Sequence, residues 1–257
     1  MIELHNINKF YNPGTVNEMC LFQNFNLSVK DGEFISVVGS NGSGKTSMLN
    51  IICGSIPVDK GRITISGEDI TNMPEYVRQR RIGRVYQNPA MGTCPSMTIL
   101  ENMSLADNKG KAFNLARGTN KKRWDYYRES LKSLNLGLED KLHVPVGSLS
   151  GGQRQAMALL MATMTPIEFL ILDEHTAALD PKTADLIMQL TDQVVKEKGL
   201  TTIMVTHNLR YAVEYGNRLI MMHQGDVIID KAGEEKTAME IDDILDKFNK
   251  ISIECGN

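Results

Sequence analysis

The 257-residue chain is poor in the features that tie a protein to a membrane, a nucleic acid or an oxidising compartment. Only four cysteines occur, Cys20, Cys53, Cys94 and Cys255, far apart and without a C-x-x-C pair. That pattern argues against zinc and redox motifs and reads as core or surface thiols in a reducing cytosol. No uncharged apolar run reaches the ~18 residues that a membrane-spanning helix requires. The longest, Ala156 to Ile167, contains Pro166 and is closed by Glu168. Neither sign of charge dominates: 28 Lys plus Arg against 31 Asp plus Glu leave −3. A chain so close to neutral does not advertise a nucleic-acid partner. The opening Met1-Ile2-Glu3-Leu4-His5 has no basic stretch followed by an apolar one, so no signal peptide is expected there. Internal repeats and low-complexity tracts are also lacking.

What remains is ordinary globular usage, 42% hydrophobic and 23% charged, which excludes a disordered chain. A soft prior of ~150 residues per domain allows one large domain or two small ones. Glu33 to Val38 is a short β-branched apolar run between Asp31-Gly32 and Gly39, and predicts a buried strand. Met48, Leu49, Ile51 and Ile52 predict a helix over Lys45 to Cys53, with Gly54 as its cap. Arg62 to Ile65 and Ile82 to Tyr86 are further strand candidates. The middle changes texture. Asp107 to Arg123 reads as an exposed loop, then Trp124 to Leu136 and Leu149 to Met164 as helices. No strand pattern falls between about residues 95 and 165, which predicts a helical insert within an α/β core. Phe169 to Leu172 is again a buried strand, ending at Asp173. Asp180-Pro181 opens a helix that Gly199 closes. Thr201 to Val205 predicts a strand, residues 219–222 and 227–229 a hairpin, and Ile241 to Ile251 a last amphipathic helix. Strands alternating with helices argue for a largely parallel sheet.

The chemistry begins at Gly39-Ser40-Asn41-Gly42-Ser43-Gly44-Lys45-Thr46, a match to G-x-x-x-x-G-K-[ST] between a predicted strand and a predicted helix. Its glycines let several N–H groups converge on one phosphate, and the helix N-terminus adds partial positive charge. Lys45 can reach the terminal phosphates and the Thr46 hydroxyl can bind Mg²⁺. Asp173, at a strand end, is a candidate for holding that ion. Glu174 is placed to polarise an attacking water. A second anion-binding helix start lies at Leu149-Ser150-Gly151-Gly152-Gln153. A triphosphate already wrapped by the first loop has one open face, and a second loop covering that face comes most simply from another subunit.

With these motifs in this order, Ile2 to Asp230 resembles the ATP-binding subunits of ATP-binding-cassette (ABC) transporters. The resemblance implies a P-loop NTPase core with a mostly parallel sheet, an N-terminal antiparallel β subdomain and a helical subdomain. Residues 1–94 and 165–235 would form the core, 95–164 the helical part and 236–257 a C-terminal helix. It assigns Gly39 to Thr46, followed by Ser47, to the Walker A loop. Gln87 becomes the loop glutamine that senses Mg²⁺, and Ser150 to Gln153 the signature motif. Asp173 falls in Walker B, Glu174 is the catalytic glutamate, Asp180 lies in the aspartate loop and His207 is the switch histidine. Tyr11 stands where the family stacks an aromatic on adenine. ATP and Mg²⁺ are the implied ligands. Transmembrane permease subunits and a second, identical ATPase subunit are the implied partners, at the cytoplasmic face of a membrane. The likeness extends to bacterial uptake systems that use an extracellular binding protein, with an amino acid as cargo.

Two departures stand out: His175 replaces the usual proline, and the signature helix lacks a further arginine. Export or lipoprotein release stays open, and so does a small-molecule kinase. A soluble ABC ATPase of DNA repair or ribosome work is disfavoured by the lack of coiled-coil inserts and tandem cassettes. His5, His143, His175 and His223 read as ordinary polar residues. Met157, Met161 and Met164 read as helix packing. Arg78, Arg80, Arg81 and Arg84 read as a solvated face.

Overall fold

The structure, a computed structural model, describes residues 1–112 and 118–254, with side chains as far as residue 250. In chain order the elements are β1 (Ile2–Tyr11), β2 (Met19–Val29), β3 (Phe34–Gly39), α1 (Lys45–Cys53), β4 (Lys60–Ile65), β5 (Glu68–Asp69), α2 (Glu75–Arg78), β6 (Ile82–Val85), α3 (Ile99–Asp107), α4 (Trp124–Lys132), α5 (Gly151–Ala162), β7 (Phe169–Asp173), α6 (Pro181–Lys198), β8 (Thr201–Val205), α7 (Leu209–Glu214), β9 (Arg218–His223), β10 (Asp226–Ala232), α8 (Glu234–Thr237) and α9 (Ile241–Glu254). They fall into two compact units, Met1–Met73 with Thr201–Asn257, and Pro74–Leu200.

The first unit holds an antiparallel sheet in the order β2-β1-β4-β5. The β1–β2 register shifts between Leu4 and Ile7. Asn6 and Asn24 take left-handed φ angles of 49° and 53° near that shift. Asparagine tolerates that conformation better than most residues, and Asn6, Asn8, Asn24 and Asn26 hydrogen-bond across the irregularity. The same unit holds β3, parallel to both β8 and β9, with β10 antiparallel to β9. Every residue of β3 and β8 is buried, as a strand covered on both faces requires. Helix α9 lays Ile244 on Ala212, Leu219 and Met221, with Phe248 beside them.

The second unit pairs β6 with β7 in parallel, Ile82 opposite Phe169 and Val85 opposite Leu172. The approach of helix α5 to β6 leaves no room at Gly83, where a Cβ would lie 2.6 Å from the Ala162 carbonyl oxygen. Three of its helices start on side-chain caps: Thr98 for α3, Ser150 for α5 and Asp180 for α6. Gly199, in the left-handed region, ends α6. No strand occurs between β6 and β7 among the described residues.

Several expectations need correction. The helix expected to reach Leu136 stops at Lys132, and Asn135 beyond it has φ 54°. The expected loop starts late, because α3 extends to Asp107, whose carboxylate binds Arg123 and the Tyr127 hydroxyl. Residues 113–117 of that loop lie outside the described residues. The arginines are not a solvated face: of the four, Arg80 alone is exposed. Arg78 is buried, Arg81 pairs with Glu168, and Arg84 is drawn inward by the carboxylate of Asp173. Cys53 is buried, Cys20 exposed and Cys94 between, all as free thiols, and Cys255 lies outside the described residues.

Candidate functional site

In the first unit, β3 ends and the chain turns back on three glycines with positive φ. Gly39, at φ 154°, approaches β9 so closely that a Cβ would sit 2.3 Å from the Met222 carbonyl oxygen. Gly44, at φ 101°, is the N-cap of α1, and its Cβ would meet the Phe22 ring at 2.9 Å. Gly42, at φ 79°, has nothing within 4 Å and serves conformation alone. Ser43 is buried, and its carbonyl accepts from the Gly225 N–H at 3.1 Å, which fixes the loop to the β9–β10 turn. Lys45 bends back into the loop. Its Nζ donates to the carbonyls of Gly39 (2.8 Å) and Ser40 (2.9 Å). The ammonium thus lies inside the curl where a phosphate group's charge would be met, at the N-terminal end of α1 where the helix adds partial positive charge. Asn41 and Thr46 are exposed at the mouth, with Ser47 half-buried behind. Tyr11 ends β1, with the Lys9 ammonium 5.6 Å from its ring centroid. His207 is exposed just after β8, where Thr206 Oγ1 accepts from the Asn208 N–H and Asn208 caps α7.

The second unit carries the other candidates. Gln87 is exposed after β6, and Asn88 beyond it caps a 3-10 turn over Pro89–Met91. Ser150 and Gln153 form a capping box on α5: Ser150 Oγ accepts from the Gln153 N–H, and Gln153 Oε1 from the Ser150 N–H, both at 3.2 Å. The Ser150 hydroxyl therefore uses a lone pair in the cap and keeps its hydrogen to donate to an anion. Gly151 is exposed, whereas Gly152 is buried against α6, where a Cβ would lie 2.2 Å from Thr183 Cγ2. Asp180 caps α6 through Oδ1, and the hydrogen bonds from Thr183 hold its carboxyl below the usual range.

Asp173 closes β7 with Oδ2 2.7 Å from an Arg84 guanidinium nitrogen. Arg84 in turn stacks over the Tyr86 ring, 4.6 Å from its centroid. Glu174 follows at φ 48°, an uncommon conformation for a residue with a side chain. His175 is buried, with Nε2 3.2 Å from Thr191 Oγ1, and burial pushes its imidazole down to about 4. Arg84, His175 and Thr191 were not among the expected site residues. Only the missing proline at 175 marked any of them in the sequence.

The donor chemistry fits Mg²⁺. Thr46 offers a hydroxyl, Gln87 an amide carbonyl and Asp173 a carboxylate, all hard oxygen donors. No group of three or more His, Cys, Asp or Glu side chains that could hold a metal occurs among the described residues. Mg²⁺ ordinarily keeps waters and takes phosphate oxygens into its octahedral shell beside one or two carboxylates.

Comparison with known proteins agrees with this chemistry. Residues 22–177 match the family model described as ABC transporter. The chain is 47% identical over 250 residues to a tyrosine transport ATP-binding protein of Clostridioides difficile (strain R20291), covering 96% of this chain and 98% of that one. It is 32% identical to the spermidine/putrescine import ATP-binding protein PotA of Haemophilus influenzae, over 91% of this chain and 59% of that longer protein. The fold superimposes with a TM-score of 0.76, at 32% identity, on the dimeric ATP-binding cassette MJ0796 in a post-hydrolysis state bound to ADP and Pi. That match covers 90% of this chain and 98% of the other. No described helix is long and apolar enough to cross a membrane; ABC subunits of this kind bind and hydrolyse MgATP, dimerise and work with transmembrane permeases. Loop chemistry, fold and likeness over nearly the whole chain lead to one conclusion: this protein belongs to the ABC transporter family, as an ATP-hydrolysing, ATP-binding subunit.

Proposed function

We propose that this subunit powers uptake of an amino acid from the cytoplasmic face of a cell membrane, in a system that also holds permease subunits and an extracellular binding protein. The observation that carries this reading is the 47% identity, over nearly the full length, to a tyrosine transport ATP-binding protein. The import named for the polyamine relative supports this direction.

In the proposed cycle two copies face head to tail. Lys45 and the amides of residues 39–46 grip the β- and γ-phosphates, and Tyr11 stacks on adenine. Ser150, Gly151, Gly152 and Gln153 of the second copy cover the exposed face of the same triphosphate, with Asp180 beside them. Thr46, Gln87 and Asp173 would hold Mg²⁺, which when bound neutralises charge on the phosphates. Glu174 takes a proton from the attacking water, a role worth about 10²–10⁴ in rate, and His207 contacts the γ-phosphate. ATP favours the closed pair because it touches both copies; cleavage divides those contacts and the pair reopens. The region around Gln87 and residues 95–164 passes closure to the permease. On this reading the chain acts as one ABC domain, with 236–257 as a C-terminal helix.

The test is co-purification and identification of its membrane partner, reconstitution of the two into vesicles, and ATPase assay with each amino acid and the binding protein. Stimulation by an amino acid, with uptake, supports the proposal. ATPase activity that drives outward movement or lipid-anchored protein release contradicts import.

A further inference from the structure

We infer that the hydrogen bond between His175 and Thr191 is the tether that holds Glu174 in its working orientation, which makes both of them positioning residues for hydrolysis. This rests on the reading of Glu174 as the base.

The chain passes from β7 to α6 through a turn that begins at Glu174. At φ 48° this residue sits in the left-handed region. A side-chain-bearing residue persists there only when its surroundings over-determine the backbone. On its C-terminal side the turn is closed by the Ala177 N–H to the Glu174 carbonyl (2.9 Å) and the Leu179 N–H to the Thr176 carbonyl (3.2 Å). Those bonds fix the shape of the turn. They do not anchor it to the rest of the unit.

His175 supplies an anchor. It is 2% exposed, and its imidazole reaches Thr191 in the middle of α6. The proton position follows from counting. Thr191 has one hydroxyl hydrogen, and it is given to the Ile187 carbonyl at 2.7 Å. Oγ1 can then only accept from the imidazole, so Nε2 carries the hydrogen. The 18-residue α6 is capped by Asp180 at one end and Gly199 at the other, which makes it a rigid anchor. A buried imidazole is costly without a partner, so the bond has one well-defined geometry rather than several. The residue immediately after the base is thereby pinned to a helix, and the carboxylate of Glu174 is aimed by it.

The test uses the full-length chain and four preparations: wild type, Thr191→Val, Thr191→Ser and Glu174→Gln. Thr191→Val keeps the shape and removes the acceptor; Thr191→Ser restores the hydroxyl. Below the melting temperature of every variant, Thr191→Val is expected to lower kcat about tenfold or more with KM for ATP unchanged, because small misplacements of a catalytic group act on the chemical step. Thr191→Ser is expected to stay within about twofold of wild type. Independently, ¹⁵N NMR of histidine-labelled wild-type protein is expected to show His175 as the neutral Nε2–H tautomer. Wild-type kcat in Thr191→Val, an effect confined to KM, failure of Thr191→Ser to restore the rate, or an Nδ1–H tautomer overturns the tether. If Glu174→Gln is inactive while Thr191→Val is unaffected, the tether alone fails. If Glu174→Gln hydrolyses ATP at the wild-type rate, the assignment of the base fails first.

Discussion

Two strand-to-helix turns carry the proposed chemistry, and they are built in opposite ways. The turn after β3 obtains its positive φ angles from glycines, at Gly39, Gly42 and Gly44. The turn after β7 places one at Glu174, a residue with a long charged side chain. The first is specified largely by its own residues: Lys45 closes it on the carbonyls of Gly39 and Ser40, with one contact from outside, the Gly225 N–H of the β9–β10 turn to the Ser43 carbonyl. The second depends on partners elsewhere in its unit, Thr191 for His175 and Arg84 for Asp173. A backbone cradle for phosphate needs many N–H groups and few side chains. A base and a metal-holding carboxylate need side chains, and their turn must be stabilised from outside.

Substitutions can break this contrast. The largest effect is expected at Gly39→Ala, where a Cβ meets the Met222 carbonyl and the left-handed φ is also penalised. The sum is about 3 kcal/mol of destabilisation with loss of ATP binding. Gly42→Ala, in open space at a similar sign of φ, should cost only about 1 kcal/mol. Thermal melts and ATP titrations of the two variants check the order; equal effects would mean that close packing is not what distinguishes Gly39.

Next in size is Gly152→Ala, whose methyl group would collide with Thr183 Cγ2. A loss of about 1–3 kcal/mol is expected. Thr183→Ser removes the colliding methyl and should recover much of it, a coupling of about 1 kcal/mol in a double-mutant cycle. Without recovery, the glycine is required for something other than the approach of α5 to α6.

The strain at Glu174 gives a smaller and more pointed comparison. Both Glu174→Gly and Glu174→Ala remove the carboxylate, but only glycine enters the left-handed region freely. Glu174→Gly should therefore be the more stable by about 1 kcal/mol in denaturant melts. The opposite order would remove the need for a tether.

The smallest effect concerns acid. Burial pushes the Asp107 carboxyl up, but hydrogen bonds from Arg123 and Tyr127 outweigh it and leave the group below its ordinary value. A carboxyl lowered by folding stabilises at any pH above its unfolded value near 3.8, and that stability is lost as pH falls through the folded value. The second unit, held by such side-chain pairs, should therefore lose thermal stability as pH falls below about 4. Asp107→Asn should be less stable at neutral pH and show a shallower acid dependence, read from melting curves across pH.

The same contrast explains what could be read from the sequence. The phosphate loop was legible because glycine spacing encodes backbone conformation directly. The helix start at Ser150, the Asp180 cap and the Gly54 and Gly199 helix ends are legible because they too are local conformational requirements; that Ser150 and Gln153 form a capping box is not. The buried strands β3, β7 and β8 were visible as apolar runs. Strand β1 was harder, because Asn6 interrupts its alternation and the register shifts there. The arginines near β6 look locally like a solvated face because Asp173, the partner that draws Arg84 inward, lies 89 residues away. His175 stands out locally only as an absent proline, since its partner Thr191 is 16 residues further on. Local conformational requirements are written in local residues; pairings across the fold are not.

The central claim is that one ATP is gripped by two copies of this chain, through the loop at 39–46 of one and the helix start at 150–153 of the other. Analytical ultracentrifugation of Glu174→Gln with saturating MgATP tests it most directly. A dimer that forms with MgATP and dissociates when nucleotide is removed is the expected result; a variant that binds MgATP and stays monomeric, with or without its permease, contradicts it.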